Sequence, residues 1–280
     1  MAEVRIGFVS RGDPESINLV RNLVERFRSR AGISIEPETA KKLGFAETRI
    51  EDMDVDFIVS VGGDGTILRT IRRMEDPKPI LGINMGTLGF LVDVEPKDAV
   101  RTLERVLFGF EVMERSRLST RLNGVPLPPA TNEIALLSAS PAKMLEFEIS
   151  VDASLLESLR ADGLLFATAT GSTAYALAAG GAIMPPELRN IIIVPVAPHL
   201  SPDQPIILSE GARVAIRVHT THQAVFSVDG HIPVVMEDGD SVNVFSSDLD
   251  ALFIRFQDPG YFYRNLNRFL EQNPSLPGSR

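Results

Sequence analysis

The sequence predicts two domains of different class: an α/β domain built on a mostly parallel sheet, followed by an all-β domain. Over about the first hundred residues, short apolar runs alternate with amphipathic stretches in β-α-β-α order, which is typical of a parallel sheet with helices on both faces. From about residue 110 onward the apolar runs are short and frequent, and proline and glycine cluster between them. A helix-like stretch follows the last of these runs.

The first domain is expected to begin with a strand at residues 4–9. Asp13-Pro14-Glu15 then provides an N-cap and a first-turn signal for a helix whose apolar residues recur at helical spacing. Those apolar residues are Ile17, Val20, Leu23, Val24 and Phe27. The other elements expected here are a strand at 56–61, a helix at 66–74, a strand at 80–83 and a helix opening near Pro96.

The second domain is expected to form a β-sandwich. Its predicted strands lie at residues 118–122, 133–137, 145–151, 164–168, 191–194, 214–218, 224–228 and 242–244. Prolines are expected to mark two loops, one with Pro126, Pro128 and Pro129 and the other with Pro195, Pro198, Pro202 and Pro205.

Two helical stretches break or follow this β pattern. The alanine-rich stretch 172–181 fits a short buried helix, and the stretch 261–270, after a strand-like run at 252–256, is expected to form a helix that returns to the first domain. We therefore place the α/β domain at residues 1–108, the all-β domain at 109–256 and the C-terminal helix at 257–280.

Composition excludes several classes of function. The 280 residues are 44% apolar, enough for a sizeable core, and a net charge of −9 with an isoelectric point near 5.1 argues against a nucleic-acid partner or an anionic membrane. The absence of cysteine excludes disulfides, zinc–thiolate sites, iron–sulfur clusters and thiol nucleophiles. The first residues lack a signal-peptide pattern, and no apolar run approaches the roughly 20 residues that span a bilayer, so we expect a cytoplasmic protein.

The run Gly62-Gly63-Asp64-Gly65-Thr66 stands where a strand is expected to give way to a helix, the edge at which open parallel sheets bind ligands. Glycines there let backbone N–H groups approach phosphate oxygens, and the helix N-terminus favours anions. A carboxylate repels phosphate, so Asp64 is better suited to a substrate hydroxyl or to Mg²⁺. The alternative is a glycine turn in which Asp64 caps a helix starting at Thr66.

A second glycine-rich run, residues 84–91, follows the next predicted strand. Because parallel strands end at the same edge of a sheet, Asn84 and Gly86 would border the same crevice as the first run. The alternative is an ordinary loop in which glycine serves turn geometry.

A third run, residues 168–181, places hydroxyl side chains and a glycine before the alanine-rich helix. Ser172 or Thr173 would cap that helix while free N–H groups face an anion. Asp162 precedes this run and is a candidate partner for a ribose hydroxyl or an amide. The alternative is a small-residue helix in a tight core. From the three runs, phosphate-binding loops are predicted at Gly62, Gly63, Thr66, Asn84, Gly86, Gly171 and Ser172.

Two shorter motifs allow both a functional and a structural interpretation. Asn132-Glu133 offers donors and acceptors suited to a base edge and ribose hydroxyls, or else forms a turn before a strand. Asp229-Gly230 has the composition of a hairpin turn. The four histidines show no metal-ligand spacing, so no protein metal site is expected, and neither the P-loop lysine motif nor a nucleophile-elbow serine is present.

Taken together, these motifs resemble those of the NAD kinase family, in an order that extends over most of the chain. The first run is shared with phosphofructokinases and with diacylglycerol or sphingosine kinases. The Thr-Gly-Ser-Thr-Ala-Tyr stretch at 170–175, followed by Gly180-Gly181, is more specific. Two positions depart from the family pattern: Ala169 replaces a usual proline, and His231 stands where glutamine is common.

The resemblance implies a phosphofructokinase-like, Rossmann-like first domain and a β domain that binds the dinucleotide. It implies transfer of a terminal phosphoryl group from ATP, another nucleoside triphosphate or polyphosphate to the 2′-hydroxyl of the adenosine ribose of NAD, giving NADP. Mg²⁺ would be bound with the donor. Homodimers or homotetramers, whose NAD sites use residues of a neighbouring subunit, are also implied, with neither nucleic acid nor membrane as partner.

The family's site residues carry over position by position. Asp64 resembles the acceptor of the hydroxyl proton. The dinucleotide pocket is implied at Gly65, Asn132, Glu133, Asp162, Thr173, Ala174, Tyr175, Ala176, Leu177 and Ala178. Ligand-binding polar or cationic side chains are implied at Arg69, Lys143 and Arg160, and a later turn that approaches the ligand matches Asp229 and His231.

Two other functions are compatible with these motifs. A lipid kinase that uses the same Gly-Asp run would have an apolar acceptor channel and no need for Asn132-Glu133 and Asp162. A binding protein that senses the dinucleotide without catalysis is the second, although retention of Asp64 and its glycines argues against it.

Overall fold

The structure is a computed structural model that describes residues 4–86, 89–92, 94–200, 203–256 and 260–271. Its strands are β1 Arg5–Ser10, β2 Gly32–Ile35, β3 Phe57–Gly62, β4 Ile80–Asn84, β5 Glu111–Arg115, β6 Leu118–Leu122, β7 Val125–Ala130, β8 Glu133–Ser138, β9 Leu145–Val151, β10 Ser154–Ala167, β11 Ile191–Pro198, β12 Ile206–Leu208, β13 Val214–His219, β14 Ala224–Val228, β15 His231–Met236, β16 Ser241–Ser246 and β17 Ala251–Arg255. Its helices are α1 Pro14–Phe27, α2 Pro37–Leu43, α3 Asp64–Arg73, α4 Ala99–Val106, α5 Tyr175–Ala178 and α6 Tyr261–Glu271, with 3₁₀ turns at Ile50–Asp52, Pro96–Asp98 and Gly171–Thr173. None of the described helices has the length and apolar character needed to cross a membrane.

These elements form two compact units, Met1–Glu114 with Ala251–Arg280, and Arg115–Asp250. Within the described residues of the first unit, the strands form a sheet in the order β2-β1-β3-β4-β17-β5. The pairings from β2 to β17 are parallel, which confirms the predicted α/β class. The carboxyl ends of these strands therefore share one edge, where an open sheet binds its ligands.

Helix α1 shows how the local sequence determines these elements. Asp13 precedes the helix in an extended conformation and accepts a hydrogen bond from the backbone N–H of Ser16 at 3.1 Å, as an N-cap does. The apolar face predicted from the sequence is buried in full, and its residues other than Ile17 pack in a core that also contains Phe8 and Phe57. Burying each such side chain contributes about 1.5–3 kcal/mol.

The second unit is an antiparallel β structure. Its strands follow one another as β15-β14-β8-β10-β9-β13-β16-β6-β7 in the part of the chain that is described, and β11 and β12 extend the sheet from β10. The core draws on side chains from most of these strands, among them Phe147, Phe166 and Phe226. The predicted all-β class is confirmed, and the strands form one continuous sheet that encloses this core, as in a half-barrel or sandwich.

The prolines expected to mark the first loop lie in a strand instead. Pro126, Pro128 and Pro129 belong to β7, which is the last strand of the sheet path. A residue without an N–H donor is tolerated in an edge strand because one side of that strand has no partner.

The second proline group is also partly in a strand. Pro195 and Pro198 lie in β11, beyond the part of β11 that pairs with β12, so their missing N–H groups break no pairing on that side. Pro205 lies in a segment without regular structure, and Pro202 lies outside the described residues.

Strand β10 is longer than the predicted strand at 164–168 and contains Arg160 and Asp162. Its first half pairs with β9 and its second half with β8 and β11. Gly163 permits the close approach of β8, because a Cβ there would lie 2.4 Å from the Leu137 side chain and 2.7 Å from the Leu136 carbonyl oxygen.

Strands β5 and β17 belong to the sheet of the first unit. The limits suggested by the sequence, after residues 108 and 256, would group these two strands with the β domain. The compact units change at 114 and 250 instead, and α6 belongs to the first of them. The functional division of the chain stays a prediction.

Candidate active site

Asp64 is the first residue of α3, and its side chain is partly buried. Its carboxylate oxygens accept hydrogen bonds from the backbone N–H groups of Phe90 at 2.9 Å and Leu91 at 3.1 Å. Burial raises the pKa of Asp64, against the lowering effect of these N–H groups and of the charge of Arg255. A carboxylate with a raised pKa is a better proton acceptor.

The alternative interpretation, in which Asp64 caps a helix starting at Thr66, is wrong. Helix α3 begins at Asp64, Gly63 occupies the cap position, and no side chain caps this end. The carboxylate is instead held by backbone N–H groups that lie 26 and 27 residues away in the chain.

The glycines around Asp64 are required for different reasons. Gly62 is required by packing, because a Cβ there would lie 2.3 Å from Oγ1 of the buried Thr66. Gly63 and Gly65 have no atom within 4 Å of the position a Cβ would take, and neither has a positive φ. Their missing side chains leave the N-terminal end of α3 open to a ligand.

The second glycine-rich run meets the first at the same sheet edge. Oδ1 of Asn84 accepts the backbone N–H of Gly86 at 3.0 Å, so this side chain holds the turn after β4. A Cβ at Gly89 would lie 2.2 Å from Oδ1 of Asp64, so glycine makes room there for the carboxylate. Residues 87 and 88 of this run lie outside the described residues.

Two arginines lie near the end of β1. The guanidinium of Arg69, a predicted ligand contact, donates to the carbonyl of Ser10 at 2.6 Å and lies 3.6 Å from Glu36 and 3.4 Å from Glu38. Its contact with a ligand stays a prediction. Arg11, which the sequence motifs did not single out, directly follows β1. Its position directly after a strand of a parallel sheet is the sequence signal that makes Arg11 a candidate ligand contact, because open parallel sheets bind ligands at that edge.

In the second unit, Glu133 opens β8 and is 7% exposed. The backbone N–H of Tyr175 donates to its carboxylate, whereas Oε2 is buried with no hydrogen-bond partner among the described residues. Burial and the charge of Asp229 raise the pKa of Glu133 to about 8. The raised pKa favours the protonated carboxyl, a form that can donate a hydrogen bond to a ligand.

Asp229 anchors the segment that carries Asn132 and Glu133. Its carboxylate accepts the backbone N–H groups of Thr131 at 2.9 Å, Asn132 at 2.7 Å and Glu133 at 3.0 Å. The Asp229-Gly230 pair forms the predicted hairpin turn between β14 and β15, with φ of 48° and 68°. The predicted contact of Asp229 with a ligand stays a prediction.

Replacing Asp229 by alanine should destabilise the second unit strongly. Three backbone N–H groups would lose their acceptor, and a buried unsatisfied donor costs about 1–3 kcal/mol. We expect the free energy of unfolding, measured in urea, to fall by about 3–5 kcal/mol. Asp238→Ala is the control, because Asp238 accepts a single N–H, from Thr220, in an exposed turn and its loss should cost under about 1 kcal/mol. Equal losses in the two variants would contradict the anchoring role.

The third run packs directly against the Asn132 segment. The backbone N–H of Thr168 donates to the Asn132 carbonyl at 2.9 Å, and its hydroxyl donates to the Thr131 carbonyl at 2.6 Å. A Cβ at Gly171 would lie 2.0 Å from the Asn132 carbonyl oxygen. Glycine is therefore required at 171 by a close backbone contact. The predicted role of Gly171 in phosphate binding stays a prediction.

The prediction that Ser172 or Thr173 caps the following helix is wrong. Their hydroxyls donate to the carbonyl oxygens three residues earlier, at 2.7 and 3.1 Å, and α5 has Ala174 at its cap position without a side-chain cap. Ala176 is buried in a small core with side chains of β8, β10 and β11, so the tight-core alternative applies to that face. Leu177 is partly buried and Ala178 is exposed.

Tyr175 links the third run with Asp162 and Glu133. Burial and the charges of these two carboxyl groups raise the pKa of the Tyr175 hydroxyl. Asp162 and Arg160 are both exposed on β10. The structure therefore brings together the predicted residues Asn132, Glu133, Asp162 and Tyr175.

For two predicted residues, no described hydrogen bond joins the side chain to this group. Lys143 is exposed between β8 and β9, and His231 is exposed at the start of β15. Their contacts with a ligand stay predictions.

Comparison with known proteins agrees with these motifs. The family model of the ATP-NAD kinase N-terminal domain matches residues 8–109, and that of the C-terminal domain matches residues 131–256. An NAD kinase of Methanosarcina mazei is 46% identical over 269 residues, which is 94% of this chain and 93% of that relative.

Solved structures show the same relation. A crystal structure of an NAD kinase from Archaeoglobus fulgidus in complex with ATP has a TM-score of 0.81 and 30% identity, and the match covers 98% of this chain and 100% of that one. A yeast NADH kinase complexed with NADH shares the fold, with a TM-score of 0.86, 23% identity and coverage of 99% and 90%. The chain belongs to the NAD kinase family and is a phosphotransferase.

Proposed function

We propose that Asp64 is the base of this NAD kinase, accepting the proton of the adenosine 2′-hydroxyl of NAD as the terminal phosphoryl group of ATP is transferred. The observation that carries this assignment is a partly buried carboxylate of raised pKa at the open N-terminal end of α3. The ATP complex of the Archaeoglobus relative supports ATP over polyphosphate as the donor.

The chemical step needs a proton acceptor, and that acceptor must be held in a fixed orientation. A ribose hydroxyl is a poor nucleophile at neutral pH, so its proton must leave as the new bond forms. The 2′-oxygen attacks the terminal phosphorus while the bond from that phosphorus to the bridging oxygen breaks, and ADP departs with the electron pair. The proton passes to a carboxylate oxygen of Asp64. Because Phe90 and Leu91 hold this carboxylate through their N–H groups, its orientation is fixed before the substrate arrives.

Mg²⁺ fits this edge of the sheet as an ion brought by the donor. Among the described residues, no group of three His, Asp or Glu side chains is placed to hold a metal. Mg²⁺ usually keeps several waters and is bound largely through substrate phosphates, so the donor would hold the ion at this edge without a dedicated set of protein ligands. When bound, the ion neutralises charge on the phosphates.

We assign recognition of NAD to the group formed by Asn132, Glu133, Asp162 and Tyr175. The buried Oε2 of Glu133 has no partner in the described protein, and as a protonated carboxyl it offers a donor to a ribose or amide oxygen. The exposed carboxylate of Asp162 offers an acceptor for ribose hydroxyls. The residues of the second unit also proposed to line this pocket are Thr173, Ala174, Ala176, Leu177, Ala178, Lys143, Arg160, Asp229 and His231. Gly65, in the first unit, stays a predicted contact of the dinucleotide.

We further propose a cytoplasmic homodimer or homotetramer in which a neighbouring subunit completes the NAD site. Sedimentation equilibrium at several protein concentrations, with and without NAD, gives the subunit number. A monomer under all these conditions would overturn this part of the proposal.

A coupled assay tests the function. The protein is incubated with ATP, Mg²⁺ and NAD, and the product is supplied to glucose-6-phosphate dehydrogenase, which then forms NADPH. We expect NADP to form in proportion to enzyme and time. Binding of NAD without transfer would indicate a sensing protein, and transfer to a diacylglycerol or sphingoid acceptor instead of NAD would indicate a lipid kinase.

Gly89→Ala should damage catalysis through Asp64. The added Cβ would overlap Oδ1 of Asp64, so the carboxylate must move, and a displacement of about 1 Å in a catalytic group can cost about a hundredfold in rate. We expect kcat to fall at least about a hundredfold while the affinity for NAD changes little. Gly32→Ala is the control, since the nearest atom to its Cβ would belong to the flexible Arg5 side chain, at 3.3 Å, and the nearest backbone atom, the Val4 carbonyl oxygen, would lie at an ordinary contact distance of 4.0 Å. A Gly89→Ala enzyme with normal kcat would show that the position of the carboxylate is unimportant.

A further inference from the structure

The donor's phosphates would approach an edge that already carries the carboxylate of Asp64. Negative charges so close together repel each other, so phosphoryl transfer requires cationic groups that hold and neutralise the phosphates. The sequence contains no P-loop lysine for this purpose. The cations that the fold places at this edge of the first unit therefore bear directly on how the donor is bound.

Arg11 lies between the two glycine-rich runs. Its backbone N–H donates to the Val61 carbonyl at 2.8 Å, which fixes the residue beside the end of β3. Its Cβ lies 3.2 Å from the position that a Cβ at Gly62 would occupy, and its Nη1 lies 3.5 Å from the corresponding position at Gly86. The side chain therefore extends from the first run to the second.

Asp13 binds Nε of the Arg11 side chain and leaves the two terminal Nη atoms to other partners. Nε of Arg11 donates to Oδ2 of Asp13 at 2.7 Å, and this hydrogen bond holds the pKa of Asp13 well below its usual range. Within the described residues, Nη1 and Nη2 have no hydrogen-bond acceptor, and the side chain is 44% exposed. A planar pair of N–H donors of this kind matches two oxygens of a phosphate.

The neighbouring cations are engaged by the protein. Arg69 donates to the Ser10 carbonyl and faces Glu36 and Glu38. Nζ of Lys42 donates to the Gly12 carbonyl at 2.5 Å. These contacts hold in place the segment that follows β1, and Arg11 belongs to that segment.

We propose that Arg11 binds the phosphates of the nucleoside triphosphate donor, donating hydrogen bonds from its Nη atoms to their oxygens. This inference rests on the proposed function. The bonds hold the triphosphate beside the open N-terminal end of α3 and stabilise the negative charge that develops on the departing diphosphate.

Arg11→Ala and Arg11→Lys in the full-length protein test this role. Loss of a hydrogen bond between charged groups should raise KM for ATP and lower kcat/KM for ATP about 10- to 100-fold in Arg11→Ala, with KM for NAD nearly unchanged. Arg11→Lys should recover part of the loss, because it retains the charge without the planar pair of donors. Calorimetry with inorganic tripolyphosphate and Mg²⁺ should show a similar loss of affinity in Arg11→Ala.

Two variants separate phosphate binding from a structural role. Asp13→Asn keeps the cap of α1 through Oδ1 and leaves the Arg11 guanidinium in the protein, but Nδ2 of asparagine cannot accept the Nε hydrogen bond, so kcat/KM for ATP should fall by less than in Arg11→Ala. Arg5→Ala removes the same charge from the other end of β1, where Arg5 is 45% exposed, and should leave kcat/KM unchanged.

The outcomes distinguish this inference from the proposed function. Arg11→Ala with wild-type turnover of ATP and wild-type affinity for tripolyphosphate would overturn the inference, as would an equal loss in Asp13→Asn. A wild-type protein that forms no NADP would contradict the proposed function, and the tripolyphosphate measurement would then still decide whether Arg11 binds phosphate.

Discussion

Asp64→Asn should lower kcat by about 10²- to 10⁴-fold while changing the dissociation constant for NAD only a few-fold, because general base catalysis typically contributes a factor of that size. Asparagine keeps the shape of the side chain but cannot accept the hydroxyl proton. The measurement is a coupled assay for kcat together with calorimetric titration of NAD. A variant that retains most of its activity would remove Asp64 as the base.

The hydrogen bonds of Asp64 add a condition to this test. Both carboxylate oxygens accept backbone N–H groups, and the amide nitrogen of asparagine would face one of those donors. An unsatisfied donor costs about 1–3 kcal/mol, so the thermal midpoint of the variant has to be measured beside its activity. A folded variant with intact NAD binding and lost turnover isolates the chemical role.

The pH dependence of the wild type gives independent support for this base. Asp64 must be ionised to accept a proton, and burial raises its pKa. Activity should therefore fall on the acid side at a pH above the ordinary aspartate value of about 4. That acid limb should be absent from the residual activity of Asp64→Asn.

The sequence was sufficient where structure depends on local patterns. The buried face of α1 follows from apolar residues at helical spacing and the cap from Asp13. The parallel sheet followed from alternation of strands and helices. The Asp229-Gly230 turn followed from its two residues.

The sequence was insufficient where a role depends on partners far along the chain. The carboxylate of Asp64 is held by the backbone of Phe90 and Leu91, and backbone donors have no sequence signature. Asp229 looked like a turn residue, but its side chain anchors a segment 96 to 98 residues away. The pKa of Glu133 depends on burial and on Asp229, and neither could be known before the strands were paired.

Glu133→Gln should change how the stability of the protein depends on pH. In the folded protein the pKa of Glu133 is about 8, against 4.5 for the unperturbed side chain. Between these values the unfolded chain binds fewer protons than the folded one, so the free energy of unfolding falls as pH rises. One pKa unit corresponds to about 1.4 kcal/mol, so this group alone should account for about 3–5 kcal/mol by pH 9.

Urea unfolding of the wild type and of Glu133→Gln at pH 5 and pH 9 measures this effect by difference. Glutamine has nearly the same shape and carries no charge, so the variant should resemble the wild type at pH 5 and exceed it by about 3–5 kcal/mol at pH 9. Glu148→Gln, at an exposed position of β9, is the control for loss of a carboxylate and should change stability by under about 0.5 kcal/mol. Parallel stability curves for wild type and Glu133→Gln would show that Glu133 is not held in its protonated form.

The affinity for NAD should also depend on the protonation state of Glu133. If the protonated carboxyl donates a hydrogen bond to the dinucleotide, wild-type affinity for NAD should weaken as pH rises through about 8, where that donor is lost. The glutamine amide still donates above that pH, so Glu133→Gln should keep its affinity between pH 7 and pH 9. Glu133→Gln should therefore affect stability and NAD binding differently. Stability should increase in alkali, whereas binding at pH 7 should stay within a few-fold. Loss of NAD binding at pH 7 in a stable Glu133→Gln protein would mean that the dinucleotide requires the charged carboxylate, and Glu133 would then act as an acceptor.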